Sequence, residues 1–377
     1  MGVWDELTGQ ADAIEVFAAA AAASDTSTAM THAWLITGPP GSGRSNLAYA
    51  FATALLARGD DDEPTARQVA ARTHPDLGVL STERVIISID EVRQLVSTSQ
   101  FSPSVGRFRV MVIEDADRMS ERTSNVLLKA LEEPPPRTVW ILCAPSEADL
   151  IPTIRSRVRT VRLRVPSVDE VAELIARRDG VDLEIATRAA RESQSHIGMA
   201  HRLATNAEAR ERRDQTLEIA LGIRSVGDAV RSAAVLLDLA GADARAITEE
   251  RDAEEREAAL RSLGIEAGGT IPTALRAQLK SLEEDQKRRA TRSLRDGLDR
   301  IMVDLLSLYR DILLLQLGAS VEPINLSISS ELVAASMRST SAETLATMDA
   351  IANARRRIDG NVAPALALEA MLISTAQ

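Results

Sequence analysis

The stretch GPPGSGRS at positions 38–45 has residue types and a spacing that could bind phosphate. It matches the phosphate-binding loop G-x-x-x-x-G-K-[ST] at every fixed position except one, where Arg44 stands in place of lysine. The glycines let backbone N–H groups point at phosphate oxygens, and the helix that follows adds its dipole. The candidate nucleotide-binding residues are Gly38, Pro39, Pro40, Gly41, Ser42, Gly43, Arg44 and Ser45.

Arg44 decides whether this loop is a working site. Arginine keeps the positive charge of lysine, but its guanidinium is a bulky planar fork in a loop shaped around a compact ammonium group. We therefore expect Arg44 to misplace or block a γ-phosphate, so that a nucleotide could still bind while hydrolysis is lost. The alternative is general arginine usage, since only three of the 44 basic residues are lysines.

A second motif concerns the same chemistry. In a catalytic site of this type, four apolar residues are followed by an aspartate that holds magnesium and a glutamate that polarises the attacking water. Here the apolar run at 110–113 is followed by Glu114 and Asp115, the same two residue types in reversed order. Catalysis is sensitive to displacements of about 1 Å. Together with Arg44, the reversed order predicts that the chain has little or no ATPase activity of its own.

Composition narrows the functional classes. A chain of 377 residues is too long for one compact core, so two or three domains are expected. The net charge of -11 argues against a broad basic surface for nucleic acid. The single cysteine, Cys143, excludes a disulfide framework and a multi-cysteine zinc site, and the four histidines lack ligand spacing. Without a secretory signal or a bilayer-spanning apolar run, we expect a cytoplasmic protein with no membrane partner.

Strand and helix signals alternate in the first part of the chain. The strand candidates are a short apolar run at 33–37 and the stretches at 107–115, 138–144 and 159–163, with a fifth at either 76–80 or 84–88. Helical patterns occupy 45–57 and 123–133. This alternation predicts an α/β domain over residues 1–165, with a five-stranded parallel sheet covered by helices on both faces.

The strand signal ends after residue 165. Residues 166–207 read as a few short helices and are predicted to form a small helical domain. Residues 208–377 are predicted to form an all-helical domain. Its long helical stretches are 247–263 and 279–318, with a loop at 264–270.

The run VIEDADRMSERTSNVLLKALEEPPPRTVWILCAPSEADLIPTIRSRV (112–158) resembles the clamp-loader branch of the AAA+ ATPases. Its most specific pieces are N-x-LLK-x-LEEPP (125–135) and TIRSRV (153–158). The resemblance implies an AAA+ P-loop domain, a helical lid and a helical collar that assembles subunits. The degenerate phosphate loop and acidic motif are similar to those of a stator subunit, which does not power the complex.

The resemblance also implies partners. A stator of this family assembles with motor (gamma/tau) subunits and the delta subunit in a hetero-oligomeric ring of five. Through that ring it meets the sliding clamp and primed DNA during DNA replication. It would then be a component of the DNA polymerase III holoenzyme, a DNA-directed DNA polymerase and hence a nucleotidyltransferase. No cofactor is required of the chain itself, although bound ATP, ADP or an anion without turnover is compatible with the loop.

In this family, a Ser-Arg-Cys motif carries an arginine finger that reaches the γ-phosphate held by the adjacent subunit. The corresponding residues here are Ser156, Arg157 and Val158, so Arg157 is the candidate catalytic residue in trans. The delocalised charge of arginine suits the charge that develops in phosphoryl transfer. Val158 departs from the family's cysteine, and the alternative is that Arg157 is only a solvated surface residue.

Three other positions depart from the family pattern. The stretch TARQVAAR (65–72) before THPDL (73–77) has none of the four cysteines of the family's zinc module, so no zinc is expected. The polar residue that senses the γ-phosphate is replaced around Ala144 and Pro145. The lid arginine of a G-x-x-R pattern falls on His201, with Arg202 next, and we interpret His201 as an exposed helix residue.

Three hypotheses are left open by the residues. The first is a non-catalytic clamp-loader subunit that donates Arg157. The second is an active ATPase of the same family, of the gamma/tau motor type, in which Arg44 does the work of lysine. The third is an AAA+ protein that acts alone on other substrates. The reversed Glu114 and Asp115 favour the first over the second, and the LEEPP and Ser-Arg elements disfavour the third.

Overall fold

The computed structural model describes residues 3–4, 7–23, 30–59, 62–82, 86–262 and 276–375. The chain divides into two compact units, Met1–Thr205 and Asn206–Gln377. The second unit begins two residues before the predicted all-helical domain, which was placed at 208. A separate division after residue 165 stays a prediction.

The first unit is built on a five-stranded sheet. Its strands are β1 (Ala33–Thr37), β2 (Leu77–Leu80), β3 (Arg109–Ile113), β4 (Thr138–Ala144) and β5 (Arg159–Arg162). Their order across the sheet is β2-β3-β4-β1-β5, and every neighbouring pair is parallel. The predicted five-stranded parallel sheet is therefore confirmed. Of the two candidates for the fifth strand, the run at 76–80 forms it, whereas Ile87 makes only an isolated bridge with Met119.

Helices connect the strands of this unit, and the last three helices follow β5. They are α1 (Ala11–Ala22), α2 (Arg44–Leu56), α3 (Glu63–Ala70), α4 (Ile89–Ser99), α5 (Glu121–Glu132), α6 (Pro152–Arg155), α7 (Val168–Asp179), α8 (Leu183–Glu192) and α9 (Ile197–Thr205). Capping boxes at Ser88 with Glu91, and at Ser167 with Glu170, satisfy backbone N–H groups at the first turns of α4 and α7.

Both faces of the sheet are covered because successive residues of a strand point to opposite sides. Trp34 of β1 packs with Phe17 and Phe51 of α1 and α2, with ring centroids 4.5 to 5.5 Å apart. Leu35 points the other way, into a cluster that holds Leu127 of α5. The three central strands β1, β3 and β4 are therefore buried along their whole length and mostly apolar, whereas β5 at the end of the sheet carries exposed arginines.

The second unit is helical throughout the part that the structure describes. Its helices are α10 (Ala207–Gly222), α11 (Val226–Ser262), α12 (Arg276–Gln316), α13 (Ser329–Ser336), α14 (Ser341–Asp359) and α15 (Pro364–Thr375). The predicted all-helical architecture is confirmed, and the predicted loop at 264–270 lies outside the described residues. Among the described residues, no helix is long and apolar enough to cross a membrane.

A buried polar network crosses the core of this unit. Arg213 of α10, which is 4% exposed, donates to Asp304 Oδ1 at 3.1 Å and also to the Asn325 side chain. Asn325 in turn donates from its backbone and side-chain nitrogens to Asp311, each at 2.8 Å. Because a buried charge is costly without partners, this network fixes α10 against α12 and the turn before α13.

Candidate functional site

Parallel strands give the sheet two distinct edges, which organise the candidate site. The side of the sheet where β1, β3 and β4 end, at residues 37–38, 113–115 and 144–145, is called the carboxyl edge. We call the amino edge the opposite side, where β4 and β5 begin, at residues 138 and 159. The phosphate loop, Glu114 and Asp115 all lie at the carboxyl edge. Ligands of open α/β sheets bind at that edge, so these predicted residues are brought to one place.

The phosphate loop has the backbone geometry that its glycines predict. Gly41 and Gly43 both adopt left-handed conformations, with φ of 79° and 90°, and α2 begins immediately afterwards at Arg44. The Gly38 N–H donates to the carbonyl of Pro145 at 3.2 Å, which ties the end of β1 to the end of β4. Ala144 and Pro145 thus supply a buried strand end and a structural carbonyl at the position where the family pattern has a polar side chain.

Arg44 turns back onto its own loop. Its Nη1 donates to the carbonyl oxygen of Gly38, the first residue of the motif. The guanidinium therefore interacts with a backbone acceptor six residues earlier in the chain. A lysine in this position would reach toward the β- and γ-phosphates of a nucleotide. This geometry is in line with the expected misplacement of the charge, and it adds a partner that the sequence did not identify.

Two side chains, one from α2 and one from the segment after α3, contact the carboxylate of Glu114. The Tyr49 hydroxyl of α2 donates to Glu114 Oε1, and Arg72 Nη2 lies 2.8 Å from the same oxygen. Arg72 also lies over the Tyr49 ring, with its Cζ 5.3 Å from the centroid. Burial, followed by the hydrogen bond and charge of Glu114, raises the pKa of Tyr49, so the phenol stays protonated and remains a donor.

Arg72 is a residue that sequence reasoning missed. It follows α3 in a left-handed backbone conformation, φ 58°, at the end of the TARQVAAR stretch. The sequence of that stretch shows only that it lacks zinc ligands, whereas in the structure it supplies the cation that pairs with Glu114. Among the described residues, no group of three or more histidine, cysteine or acidic side chains is placed to hold a metal ion. Asp115, the second acidic residue, lies 3.8 Å from Arg118 Nε.

The phosphate loop also carries a contact from the segment before α9. A Cβ added to Gly41 would lie 2.2 Å from His196 Cγ, so the imidazole ring packs directly against the glycine. The Ile197 N–H donates to the Gly41 carbonyl at 3.3 Å, and the Met199 N–H donates to His196 Nδ1 at 3.2 Å. Gly41 therefore has a packing role that needs no bound phosphate. His196 was not among the predicted site residues.

A cleft of about 350 Å³ remains beside this contact. It is lined by Gly41, Gly43, Arg44, Ser45, Asn46, Arg178, Ile197, Gly198 and His201. His201 is exposed, as we interpreted it, but it also pairs with Asp179, with Nδ1 and Oδ2 2.7 Å apart. The Arg178 side chain and then that of His201 lower the pKa of Asp179. The rim of the cleft therefore holds Arg44 together with an ion pair, in which Arg178 and His201 both contact Asp179.

Arg157 lies at the amino edge. It follows the short helix α6 and comes two residues before β5, whose first residue, Arg159, is paired with Trp34 of β1. Its Nε donates to Glu132 Oε1 at 2.7 Å, its Nη2 donates to the same oxygen, and its Nη1 donates to the Thr153 carbonyl at 2.7 Å. The side chain is 32% exposed. The structure therefore does not bring Arg157 together with the phosphate loop of the same chain.

Asp76, in the THPDL stretch, is a second residue whose role the sequence did not reveal. Its carboxylate is fully buried and accepts N–H groups from Ser104 at 2.6 Å and from Val105 and Gly106 at 2.7 Å each. Burial alone would raise the pKa of Asp76, but the N–H groups of Gly106, Ser104 and Val105 outweigh it and hold the pKa at about 2. Asp76 thus anchors the loop between α4 and β3.

Residues 9–167 match the protein family described as DNA polymerase III, delta subunit. A DNA polymerase III subunit delta' of Pseudomonas aeruginosa is 38% identical over 154 residues, which are 39% of this chain and 47% of that protein. The subunit delta' of Escherichia coli K12 is 30% identical over 196 residues, or 49% and 59% of the two chains. A subunit gamma of Buchnera aphidicola is 29% identical over 150 residues, or 38% and 41%.

These matches concentrate on the unit that holds the sheet. The chain spans about half the length of the curated relatives that it matches. The matched region contains the phosphate loop, the altered acidic motif and Arg157, which are the residues that suggested the resemblance. Over residues 9–167 the chain is therefore similar to the delta-prime subunits of DNA polymerase III, which confirms the clamp-loader resemblance predicted from its motifs.

Proposed function

We propose that the chain is a clamp-loader subunit of the delta-prime type. It does not hydrolyse nucleotide at its own phosphate loop, and it supplies Arg157 to the nucleotide site of an adjacent motor subunit. Its partners are gamma/tau-type motor subunits and a delta subunit, and the complex acts on the sliding clamp and primed DNA. The similarity of residues 9–167 to delta-prime subunits supports the class of complex.

The state of Glu114 is the observation that carries the non-catalytic part of this proposal. A magnesium ligand needs carboxylate oxygens available to the ion. Glu114 Oε1 is engaged by Tyr49 and by Arg72, and the carboxylate is only 13% exposed. Recruiting it to magnesium would leave Arg72 without its counter-charge and Tyr49 without its acceptor. Arg44, the other departure, is engaged by Gly38, so both altered residues are satisfied within the chain.

The position of Arg157 supports action in trans. The phosphate loop follows the last residue of β1, whereas Arg157 precedes the residue of β5 that pairs with Trp34 near the start of β1. The two sites are therefore separated along the strand direction by the length of β1, roughly 16 Å for five residues. An arginine side chain cannot bridge that span to its own loop. The Arg157 side chain is 32% exposed and lies beside the last strand of the sheet, which supports approach by another subunit.

The test has two parts. The isolated full-length chain is assayed for ATP hydrolysis, beside a motor subunit as the positive control, and no turnover above background is expected. The complex is then reconstituted with Arg157→Ala, which is expected to lower DNA-stimulated hydrolysis while the complex still assembles. Arg155→Ala, two residues earlier on the exposed face of α6, is the matched control. Turnover by the isolated chain would instead favour an active gamma/tau-type ATPase.

The cleft beside the phosphate loop supports a second candidate activity, nucleotide or anion binding without turnover. Its lining combines the loop glycines with Arg178 and His201. Arg44 and His196 restrict the space around the loop, so we expect binding to be weak. Titration of the full-length chain with ATP and with inorganic phosphate tests this, with Arg178→Ala expected to reduce any affinity. Equal affinity of the variant would remove the cleft as the site.

A further inference from the structure

The LEEPP motif places a carboxylate against Arg157. Glu132 is the last residue of α5, and its Oε1 accepts from both Nε and Nη2 of Arg157. On the other side of the guanidinium, Nη1 donates to the Thr153 carbonyl at 2.7 Å and to Ser156 Oγ at 3.1 Å. The planar group is thus held from two directions, by α5 and by the segment that carries it.

Glu132 has no evident role in the stability of its own helix. A carboxylate at the C-terminal end of a helix faces the negative pole of the helix dipole, which is unfavourable by a few tenths of a kcal/mol. The pair with Arg157 offsets that cost. Glu133, the next residue, has the same charge and is exposed; its backbone N–H donates to the Lys129 carbonyl, but its carboxylate makes no hydrogen bond or ion pair with the described residues. The two neighbouring glutamates therefore differ in whether they contact Arg157.

Order of the guanidinium is the expected consequence of this contact. A free arginine side chain has about 2 kcal/mol of rotamer entropy, which is lost when it docks on a phosphate. A side chain that is already held on two sides loses less rotamer entropy when it docks. A catalytic group that is held in its reactive geometry also reacts faster than one that must first reach that geometry. Four contacts engage the five N–H donors of the guanidinium, so the group can stay in place and still present a donor to a ligand.

We propose that Glu132 is a positioning residue for Arg157: it holds the guanidinium at the amino edge of the sheet in the orientation in which it reaches a neighbouring nucleotide. This inference rests on the proposed function, in which Arg157 acts in trans. Glu132 does not touch the nucleotide in this arrangement. Its effect on the reaction passes through the side chain of Arg157 alone.

A double-mutant cycle in the reconstituted complex tests the proposal, because it isolates an effect that passes through one residue. Full-length Glu132→Ala, Arg157→Ala, the double variant, Glu132→Gln and Glu133→Ala are each assembled with the other subunits. The kcat and KM of DNA-stimulated ATP hydrolysis are measured for each complex. Thermal unfolding of each free variant and the elution volume of each complex check that folding and assembly are intact.

Glu132→Ala is expected to lower kcat at the site that Arg157 serves by roughly tenfold, as loss of an orienting partner does elsewhere. KM should change little, since the nucleotide is bound by the neighbouring subunit. Glu132→Gln should retain most of the rate because its amide oxygen still accepts from Nε and Nη2. Glu133→Ala should match the wild type. In the Arg157→Ala background, Glu132→Ala should have no further effect.

Three results would overturn the positioning role. An equal loss from Glu132→Ala with and without Arg157 would mean that Glu132 acts by another route. A higher rate in Glu132→Ala would mean that the carboxylate competes with phosphate for the arginine. A rate for Glu132→Gln as low as that of Glu132→Ala would mean that charge matters rather than the held geometry. If Arg157→Ala itself has no effect, the proposed function fails, which is a separate outcome.

Discussion

The two edges of the sheet each present an arginine that sequence motifs connect with phosphate, and the two arginines have different surroundings. At the carboxyl edge, Arg44 is bound to the backbone of its own loop, and the neighbouring Glu114 is bound by Tyr49 and Arg72. At the amino edge, Arg157 is oriented by Glu132 and remains about one-third exposed. Both guanidiniums have partners within the chain; that of Arg44 turns back onto its own loop, whereas that of Arg157 lies at the surface, where another subunit can reach it.

The difference shows that the turn of a phosphate loop has packing requirements of its own. Gly41 and Gly43 still form the turn that links β1 to α2, and Gly41 also receives the ring of His196. These packing demands require glycine whether or not phosphate binds. A phosphate-loop pattern in a sequence therefore predicts the turn, and activity at the loop needs a test of its own.

The largest expected effect comes from making the same truncation at each edge. Under the proposed function, Arg157→Ala should cost on the order of 10³ in kcat at the neighbouring site, the range known for arginine fingers. Arg44→Ala should leave the ATPase of the same reconstituted complex unchanged, because the side-chain hydrogen bond of Arg44 goes to Gly38 of its own loop. Steady-state hydrolysis by the two complexes measures the contrast. A loss with Arg44→Ala as large as that with Arg157→Ala would erase the distinction between the edges.

A smaller effect, on stability, is expected at Gly41. An alanine there would place its Cβ 2.2 Å from His196 Cγ, in a backbone conformation with φ of 79° that disfavours any side chain. Overpacking and left-handed strain together should cost about 3 kcal/mol of unfolding free energy. Urea denaturation of the full-length chain measures it.

Two variants separate the causes at Gly41. Gly41→Ala combined with His196→Ala should regain the steric part of the loss and leave about 1 kcal/mol of backbone strain. Gly59→Ala, where an added Cβ meets nothing within 4 Å, is the matched control and should be nearly neutral. If Gly41→Ala were also neutral, the packing of His196 on the loop would not persist in solution.

The next effect in size belongs to Asp76 and depends on pH. Its pKa is about 2 in the folded chain against an ordinary value of 3.8, so folding favours the charged form. The resulting contribution, about 2 kcal/mol, is fully present above pH 4 and is lost as the pH falls from about 4 to about 2. Asp76→Asn should remove it at neutral pH and should flatten that part of the acid unfolding curve.

The exposed Asp12, in the first turn of α1, provides the control for this measurement. Asp12→Asn should leave both the stability at neutral pH and the shape of the acid transition close to those of the wild type. An acid transition of Asp76→Asn that kept the wild-type slope between pH 4 and pH 2 would show that the loop anchored by Asp76 does not stabilise its ionised form.

The sheet and the phosphate loop were predictable because their signals are local. A buried parallel strand is an unbroken apolar run, and the glycines of the loop are required by the turn itself. The amino-edge position of Arg157 follows from the strand that comes after it. The all-helical second unit likewise follows from long periodic stretches.

The partners of the site residues could not be predicted, because each joins segments distant in sequence. Glu114 and Arg72 are 42 positions apart in chain numbering, and His196 is still farther from Gly41. Neither Arg72 nor His196 belongs to a motif, so nothing local distinguishes it from other surface residues. THPDL did contain a signal, since an acid directly before an apolar strand is a candidate anchor for a loop, but only the fold shows which loop Asp76 holds.

The smallest expected effect is the coupling between Arg72 and Glu114. It tests whether the ion pair contributes to the stability of the carboxyl edge or whether packing alone does. The pair joins a half-exposed arginine to a largely buried carboxylate. Partial exposure screens such a pair, so a double-mutant cycle of Arg72→Ala and Glu114→Gln should give about 1 kcal/mol of coupling in urea unfolding. Arg67→Ala, on the exposed face of α3, is the control and should show none. Under the proposed function, Arg72→Ala should also leave the isolated chain without ATPase activity, because Arg44 and the order of Glu114 and Asp115 are unchanged. Turnover that appeared on this single change would mean that the ion pair, rather than the altered motif residues, keeps the carboxyl edge inactive.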